Sequence, residues 1–491
     1  MLTGNTYRHP AVLAKMATSV DHISGGRLEF AIGGAWHSFE HMSWNITGLD
    51  SQPARRVASA VGGARMKIDL AYGRTGLRVD LPDHATVLAP AKAPVLPDPA
   101  GAIREALRKP MGCAPLQERV MPGDSVAIVF SDVTRPAPNK TLIPVLLEEL
   151  AEAGIDRRSI TLINALGMHR VNTPEELESM LGRDVVESFR IVQHNPEDEG
   201  QLTSLIPNRR GASITVNRHY MQARVKILTG LVEPHIFAGY SGGGKAVLPG
   251  IAGADAVMSN HSGPMVGDPG STWCNVKGNP IFRQIREVAL ATDPTFVVNV
   301  TIDQDKAVTG VFAGSLVEAH DAGIAFAEKT FVRPIPQEFD IAVTSNLGYP
   351  SDINLYQSFK GLSVAAQGVR MGGAVVMAAE CAEGLGLIHF QELLQARSHP
   401  ERLLEMFRDR RSRHHDQWGV QVGAMAMVKV ESYLYSSMEP ALTRKAHMIP
   451  CKDVSKTVNE LRKRYRKRHG GEPSILALPY GQLTVPRVTR G

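Results

Sequence analysis

Apolar runs alternate with helix-spaced apolar stripes through most of the chain. Ser125–Phe130 (SVAIVF) reads as a buried strand, and Thr141–Ala153 as an amphipathic helix with Leu142, Val145, Leu146 and Leu150 on one stripe. Ile160–Ala165 reads as the next strand. A helix over 173–181 follows, with Thr173 at its N-cap and Glu176 three residues on, the capping-box pattern. Strands are expected near Ile191 and over Val225–Thr229, then a helix over 280–291, a strand over 296–302 and a helix over 316–329. This is the βαβ rhythm of a mainly parallel sheet with helices on both faces. A Pro-containing stretch, 332–337, interrupts it. A new cycle opens with a strand over 339–344, a helix over 353–369 and a strand over 374–378. The expectation is two α/β domains, 66–335 and 336–491, with mainly parallel sheets and an active site in the cleft between them.

Composition narrows the partners. The 491 residues are 43% hydrophobic and 21% charged, as in an ordinary globular protein too long for one core. No apolar window is long enough for a membrane span, and no secretory leader pattern stands at the N-terminus. Cys113, Cys274, Cys381 and Cys451 lie far apart, which argues against a disulfide framework or a cysteine zinc site and for a reducing cytoplasm. A net charge of +5 says little about polyanions. The one basic run, Arg462–Arg468, shares a helical pattern with Val458 and Leu461, so it reads as a solvated helix face, not a nucleic-acid site.

The most informative segment is Glu233–Ile251, which follows a strand and contains five glycines, three of them consecutive before Lys245. Such a loop suits close approach to a ligand phosphate. It nearly satisfies the P-loop spacing from Gly239 to Lys245, but position 246 is Ala, with no hydroxyl for magnesium, and Pro249-Gly250 prevent the long helix that a P-loop needs. A phosphate-binding NTPase using this loop therefore stands as an alternative function, as does a non-catalytic remnant that binds an organic acid. His235 and His261 flank the lysine in sequence, and His169 and the segment Ser131–Pro138 also follow strands. All belong to the strand-end edge where open α/β sheets bind ligands.

Residues 1–57 fall outside this pattern. Asn5–Pro10, Ile23–Phe30 and Ile32–His37 resemble a fragment of a luciferase-like flavin or deazaflavin monooxygenase, far short of the roughly 250 residues a barrel requires. The segment reads as a non-functional fragment and linker.

From about 66 to 491, the set Ser131–Pro138, Gly167–Arg170, Glu233–Ile251, His261, Ser345–Lys360, Glu380–Gly386 and Asp416–Trp418 resembles the nickel-dependent lactate racemase family. The resemblance implies a racemase that interconverts the enantiomers of a 2-hydroxy acid, lactate or a related one. It implies that Lys245 holds a pyridinium mononucleotide through a thioamide link, the nickel-pincer nucleotide, that His261 ligates the nickel, and that His169 and His235 are the acid/base pair. Arg135 and Lys360 would hold the substrate, with Gln357 and Trp418 beside it, and Asp132 would support the cofactor. Cofactor-synthesis enzymes would be the maturation partners. Gln357 and Lys360 are three apart on a predicted helix and so share a face. Asp352 reads as the N-cap of that helix. Trp273 and Cys274 read as polar-loop residues without a role, His414-His415 as solvent-exposed, Glu383 as a turn or lining residue, and Met425 and Met427 as core.

Overall fold

A computed structural model describes residues 65–205, 214–409 and 413–489. The monooxygenase-like segment lies outside the described residues. Six strands form a first sheet in the spatial order Val308–Gly314, Phe296–Ile302, Val225–Leu231, Val126–Ser131, Ile160–Ala165, Arg190–Gln193. Neighbours run parallel except Val308–Gly314, which is antiparallel to its neighbour. The sheet's first strand in sequence, Val126–Ser131, lies in the middle, so the chain winds first to one side of it and then to the other. The crevice at the carboxyl ends of Val126–Ser131 and Val225–Leu231 is thus a topological switch point, where such sheets bind ligands. The sheet is covered on both faces, which is why Val126–Phe130 is buried at every position and shows no alternation. Ile128, Phe130, Leu146 and Val298 pack in one core cluster, and Val129, Ile163, Leu228 and Ile285 in another.

The second sheet is parallel throughout, in the order Ile449–Pro450, Glu431–Tyr435, Val369–Ala378, Phe339–Ser345, Ile475–Leu478, Thr86–Val87. A hairpin of Arg65–Leu70 and Leu77–Pro82 buries Ile68, Leu70, Val79 and Leu81 against Val343, Val376 and Ile475 of this sheet. Packing therefore puts 65–87 with the second sheet, although the sequence pattern grouped 66–335 with the first. The hairpin's apolar face needs a partner surface, and that face of the second sheet supplies it. The Pro-containing stretch is also more than a linker: Val332–Ile335 pairs in parallel with Val485–Val488, a two-stranded ribbon that tolerates Pro334.

The strands 160–165 and 296–302 and the helix 280–291 have the bounds that the pattern predicts. Thr173 caps Pro174–Leu181 in a full capping box with Glu176. The helix expected over 353–369 spans Leu355–Gln367, and its cap is Asn354, whose Oδ1 accepts from the Gln357 amide at 3.1 Å. Asp352 is buried instead, its Oδ2 accepting from the amides of Gly73 at 2.7 Å and Glu380 at 3.0 Å. Two further expectations are corrected. Trp273 and Cys274 are core residues, the indole donating to Ser363 Oγ at 2.9 Å. Met425 is exposed. Of the two places expected for Glu383, it takes the turn and does not line the cavity described below. The basic run lies on the helix Val454–His469, which buries Val454, Val458 and Leu461 and pairs Arg464 with Glu431 and Arg462 with Glu472. No helix among the described residues is long and apolar enough to cross a membrane. All four cysteines are unpaired.

Candidate active site

A cavity of about 590 Å³ opens at the switch point. One side comes from the strand-end loops of the first sheet and the glycine turn, the other from the helix Leu355–Gln367, Leu387–His389 and the start of the helix Gln417–Lys429. Asp132, Arg135, His169, His235, Lys245, His261, Gln357, Lys360 and Trp418 all line it.

Asp132 and His169 follow adjacent parallel strands, which places them side by side. Asp132 Oδ2 lies 2.9 Å from His169 Nδ1, and Thr134 Oγ1 donates to Asp132 Oδ1 at 2.8 Å. Burial pushes the Asp132 carboxyl up, but the hydrogen bond from His169 and the charges of His169 and Arg135 outweigh it and hold the group below the usual carboxylate range. An ionised Asp132 accepts only, so His169 Nδ1 donates, and the neutral form of the ring has its lone pair on Nε2. Each Asp132 oxygen thus has a protein partner, Thr134 on Oδ1 and His169 on Oδ2.

His235 has the opposite polarity. It stands in a two-residue ribbon, Pro234–His235 against Gly239–Tyr240, and its Nδ1 accepts from the Ala238 amide at 3.1 Å. Burial, then the charges of Lys245 and Arg135, keep it neutral by pushing its pKa well below the ordinary value. A neutral ring whose Nδ1 accepts carries its hydrogen on Nε2.

Lys245 ends the glycine run. Burial, then the nearby Arg135, lowers its amine to about 7, against a smaller upward push from Glu233. A lysine partly unprotonated near neutrality is a nucleophile. It stands in a single tight turn, Gly243–Ala246, and no long helix follows, so the phosphate cradle of a P-loop is not built here. Gly243 has φ +51°, and a Cβ there would lie 2.3 Å from His320 Nδ1. What the missing side chain makes room for is a buried imidazole, whereas the sequence pattern suggested a ligand.

Lys360 Nζ donates to Gln357 Oε1 at 2.8 Å, as their helical spacing foretold, and burial, then Arg135, lowers its amine to about 8. Trp418 Nε1 donates to Tyr356 Oη at 3.2 Å. His261 is 5% exposed, and its Nδ1 has no hydrogen-bond partner among the described residues. Burial, then Lys245, lowers its pKa to about 3, so the ring is neutral with a lone pair to offer. Phe237 and Trp418 stand edge-on to it at 4.9 and 5.3 Å. An orphaned neutral imidazole nitrogen suits nickel. No group of three or more metal-binding side chains is found among the described residues.

The cavity also includes residues that sequence reasoning passed over. Tyr356, Leu387, Ile388, His389, His415 and Asp416 all line it. His415 was expected only at the surface. It is exposed, yet it stands at the cavity with its ring 5.7 Å from that of His389. The signal available was its place immediately before Asp416-Gln-Trp418, a segment already singled out.

Residues 72–274 match the family described as the lactate racemase N-terminal domain, and 335–483 its C-terminal domain. The chain is 32% identical over 382 residues to the lactate racemase of Lactiplantibacillus plantarum, covering 77% of this chain and 89% of that one. It is 30% identical over 405 residues to the lactate racemase of Thermoanaerobacterium thermosaccharolyticum, covering 80% and 93%. The apoprotein structure of a lactate racemase from the latter organism superposes with a TM-score of 0.80 at 28% identity, over 86% of this chain and all of that one. A Thermotoga maritima protein at 17% identity shares the fold, with a TM-score of 0.56 over 81% of this chain. By sequence along both lobes and by fold, the chain belongs to the lactate racemase family.

Proposed function

We propose that this protein racemises lactate or a closely related 2-hydroxy acid, with a nickel-pincer nucleotide joined to Lys245 and its nickel ligated by His261. The observation that carries this reading is the convergence of two histidines of opposite hydrogen-bond polarity on one cavity that also holds Arg135 and Lys360. The nucleotide, held by Lys245 and His261, would supply a reversible hydride acceptor for the α-hydrogen. The protein's own residues do the rest. Arg135 and Lys360 hold the substrate carboxylate, and Gln357 keeps Lys360 in place. His169 presents the free lone pair of Nε2 and takes the hydroxyl proton of one enantiomer. His235 presents Nε2–H to the oxygen of the other. For His235 to act as base in turn, its hydrogen must move to Nδ1, which requires letting go of the Ala238 amide. Two histidines are needed because the enantiomers direct their hydroxyls differently when the α-hydrogen faces one acceptor.

Cofactor-synthesis enzymes are the maturation partners in this reading, and the four unpaired cysteines suit the cytoplasm. The test is co-expression with those enzymes and nickel, followed by peptide mapping and chiral assay of both lactate enantiomers. The expected result is an adduct on Lys245 and conversion in both directions. Active protein with unmodified Lys245 would refute the covalent link, and fully loaded protein that racemises no 2-hydroxy acid would refute the activity.

A further inference from the structure

The turn that carries Lys245 is held from its far side. His320, on the helix Leu316–Phe331, is 3% exposed, and its Nε2 donates to the Ser241 carbonyl at 2.9 Å. Asn299, in the strand Phe296–Ile302, is fully buried, and its Oδ1 accepts from the Gly243 amide at 3.0 Å. Neither side chain lines the cavity. Ser241 is the knot between them and the site: its Oγ donates to the Leu231 carbonyl at 2.6 Å and accepts from the Glu233 amide at 3.0 Å. It thus ties the strand end, the ribbon bearing His235 and the turn bearing Lys245 together. The glycines sit directly on this support, for a Cβ on Gly242 would lie 3.0 Å from Asn299 Oδ1. The His320 ring stacks on Phe282 at 5.9 Å, and Arg286 covers the Phe282 ring at 4.7 Å.

Burying an imidazole and an amide is costly, and an apolar pair would fill the same volume without that penalty. What the polar pair adds is direction, one hydrogen bond to the Ser241 carbonyl and one to the Gly243 amide, both where the chain enters the turn. We propose that His320 and Asn299 are positioning residues that hold the Gly242–Lys245 turn so that the Lys245 amine stays in the cavity wall. This rests on Lys245 being the cofactor-bearing lysine. When the turn loosens, water reaches the amine, which then keeps its proton and loses nucleophilicity.

The experiment uses full-length protein without cofactor, labelled near neutral pH with N-acetoxysuccinimide and read by peptide mass spectrometry. Lys456, whose side chain is 82% exposed, is the internal reference. His320→Phe keeps a ring but removes the donor, His320→Gln restores a donor, and Asn299→Leu removes the second anchor. The labelling ratio of Lys245 to Lys456 should fall about tenfold in His320→Phe and in Asn299→Leu, the weight of one buried hydrogen bond, and recover in His320→Gln. Folded His320→Phe with an unchanged or raised ratio overturns the proposal. So does failure of both His320→Phe and Asn299→Leu to fold, since the two residues would then be structural only. A parent protein in which Lys245 labels no faster than Lys456 overturns the reading of Lys245 itself and the proposal with it.

Discussion

Replacing Asp132 by Asn tests the acid/base assignment at its most exposed joint. The substitution keeps the shape but removes the charge, and the amide nitrogen can donate to His169 Nδ1. The ring would then carry its hydrogen on Nε2, the wrong end for a base. The bond at risk is charge-assisted and 2.9 Å long, from a carboxylate that is 3% exposed. Hydrogen bonds to charged groups contribute about 1.5–3 kcal/mol, or roughly 10- to 150-fold in rate. The His169 side chain is 45% exposed, so water can partly replace the lost partner, and this favours the lower part of that range. The expected loss in kcat is therefore about 10- to 50-fold. KM should hardly move, because Asp132 is not among the groups assigned to the substrate carboxylate. Thr134→Val removes only the neutral donor to Asp132 Oδ1 and should cost less than about fivefold. The assay is chiral chromatography of initial rates from each lactate enantiomer, normalised to Lys245 adduct content by intact mass. Both directions must fall together, since a catalyst leaves the equilibrium constant unchanged. An Asp132→Asn enzyme within twofold of the parent per adduct, or one whose whole deficit lies in KM, would refute the assignment.

Two further outcomes are expected. Burial lowers His194 to about 4, His320 to about 4 and His261 to about 3 from an ordinary value of 6.5. Below about pH 6.5 the unfolded chain binds more protons at these rings, so their stabilisation is intact above that pH and is lost as pH falls toward the folded values, at roughly 1 kcal/mol per pH unit for each ring. Urea midpoints measured between neutral pH and about pH 5 should drop accordingly, and a flat profile would contradict the neutral, buried state of these histidines. A chain starting at Val57 retains the strand Arg65–Leu70 and should keep its thermal midpoint and racemase rate; loss of either would show that the preceding segment is an integral part of the enzyme.

The fold was most legible where burial is two-sided. Val126–Phe130 is an uninterrupted apolar run, and Phe296–Ile302 is broken only by Asn299 and Thr301, because helices cover both faces of their sheet, and such runs read as strands without tertiary information. Asp352 and Asn354 were harder, since either can cap a helix, and only the amides of Gly73 and Glu380, distant in sequence, decide that Asp352 turns inward. The site was legible to the extent that its residues sit in loops after strands. The pairing of Asp132 with His169 was not, because it depends on which strands are neighbours. His320 and Asn299 gave no signal at all: each lies inside an ordinary helix or strand, and their importance comes from a turn remote in sequence.

The placement of residues 65–87 on the second sheet has a practical consequence for dissecting the enzyme. A fragment beginning at the Pro-containing stretch would lack Thr86–Val87 and the hairpin before it. It would leave the strand Ile475–Leu478 with an open flank and would uncover Val343 and Val376, which the hairpin shields. An unprotected flank of that kind templates pairing with another chain. The isolated C-terminal lobe should therefore self-associate when expressed alone. A soluble version needs residues 65–88 grafted back, which makes this lobe a discontinuous folding unit whose two pieces are separated by the whole of the half that contains Lys245.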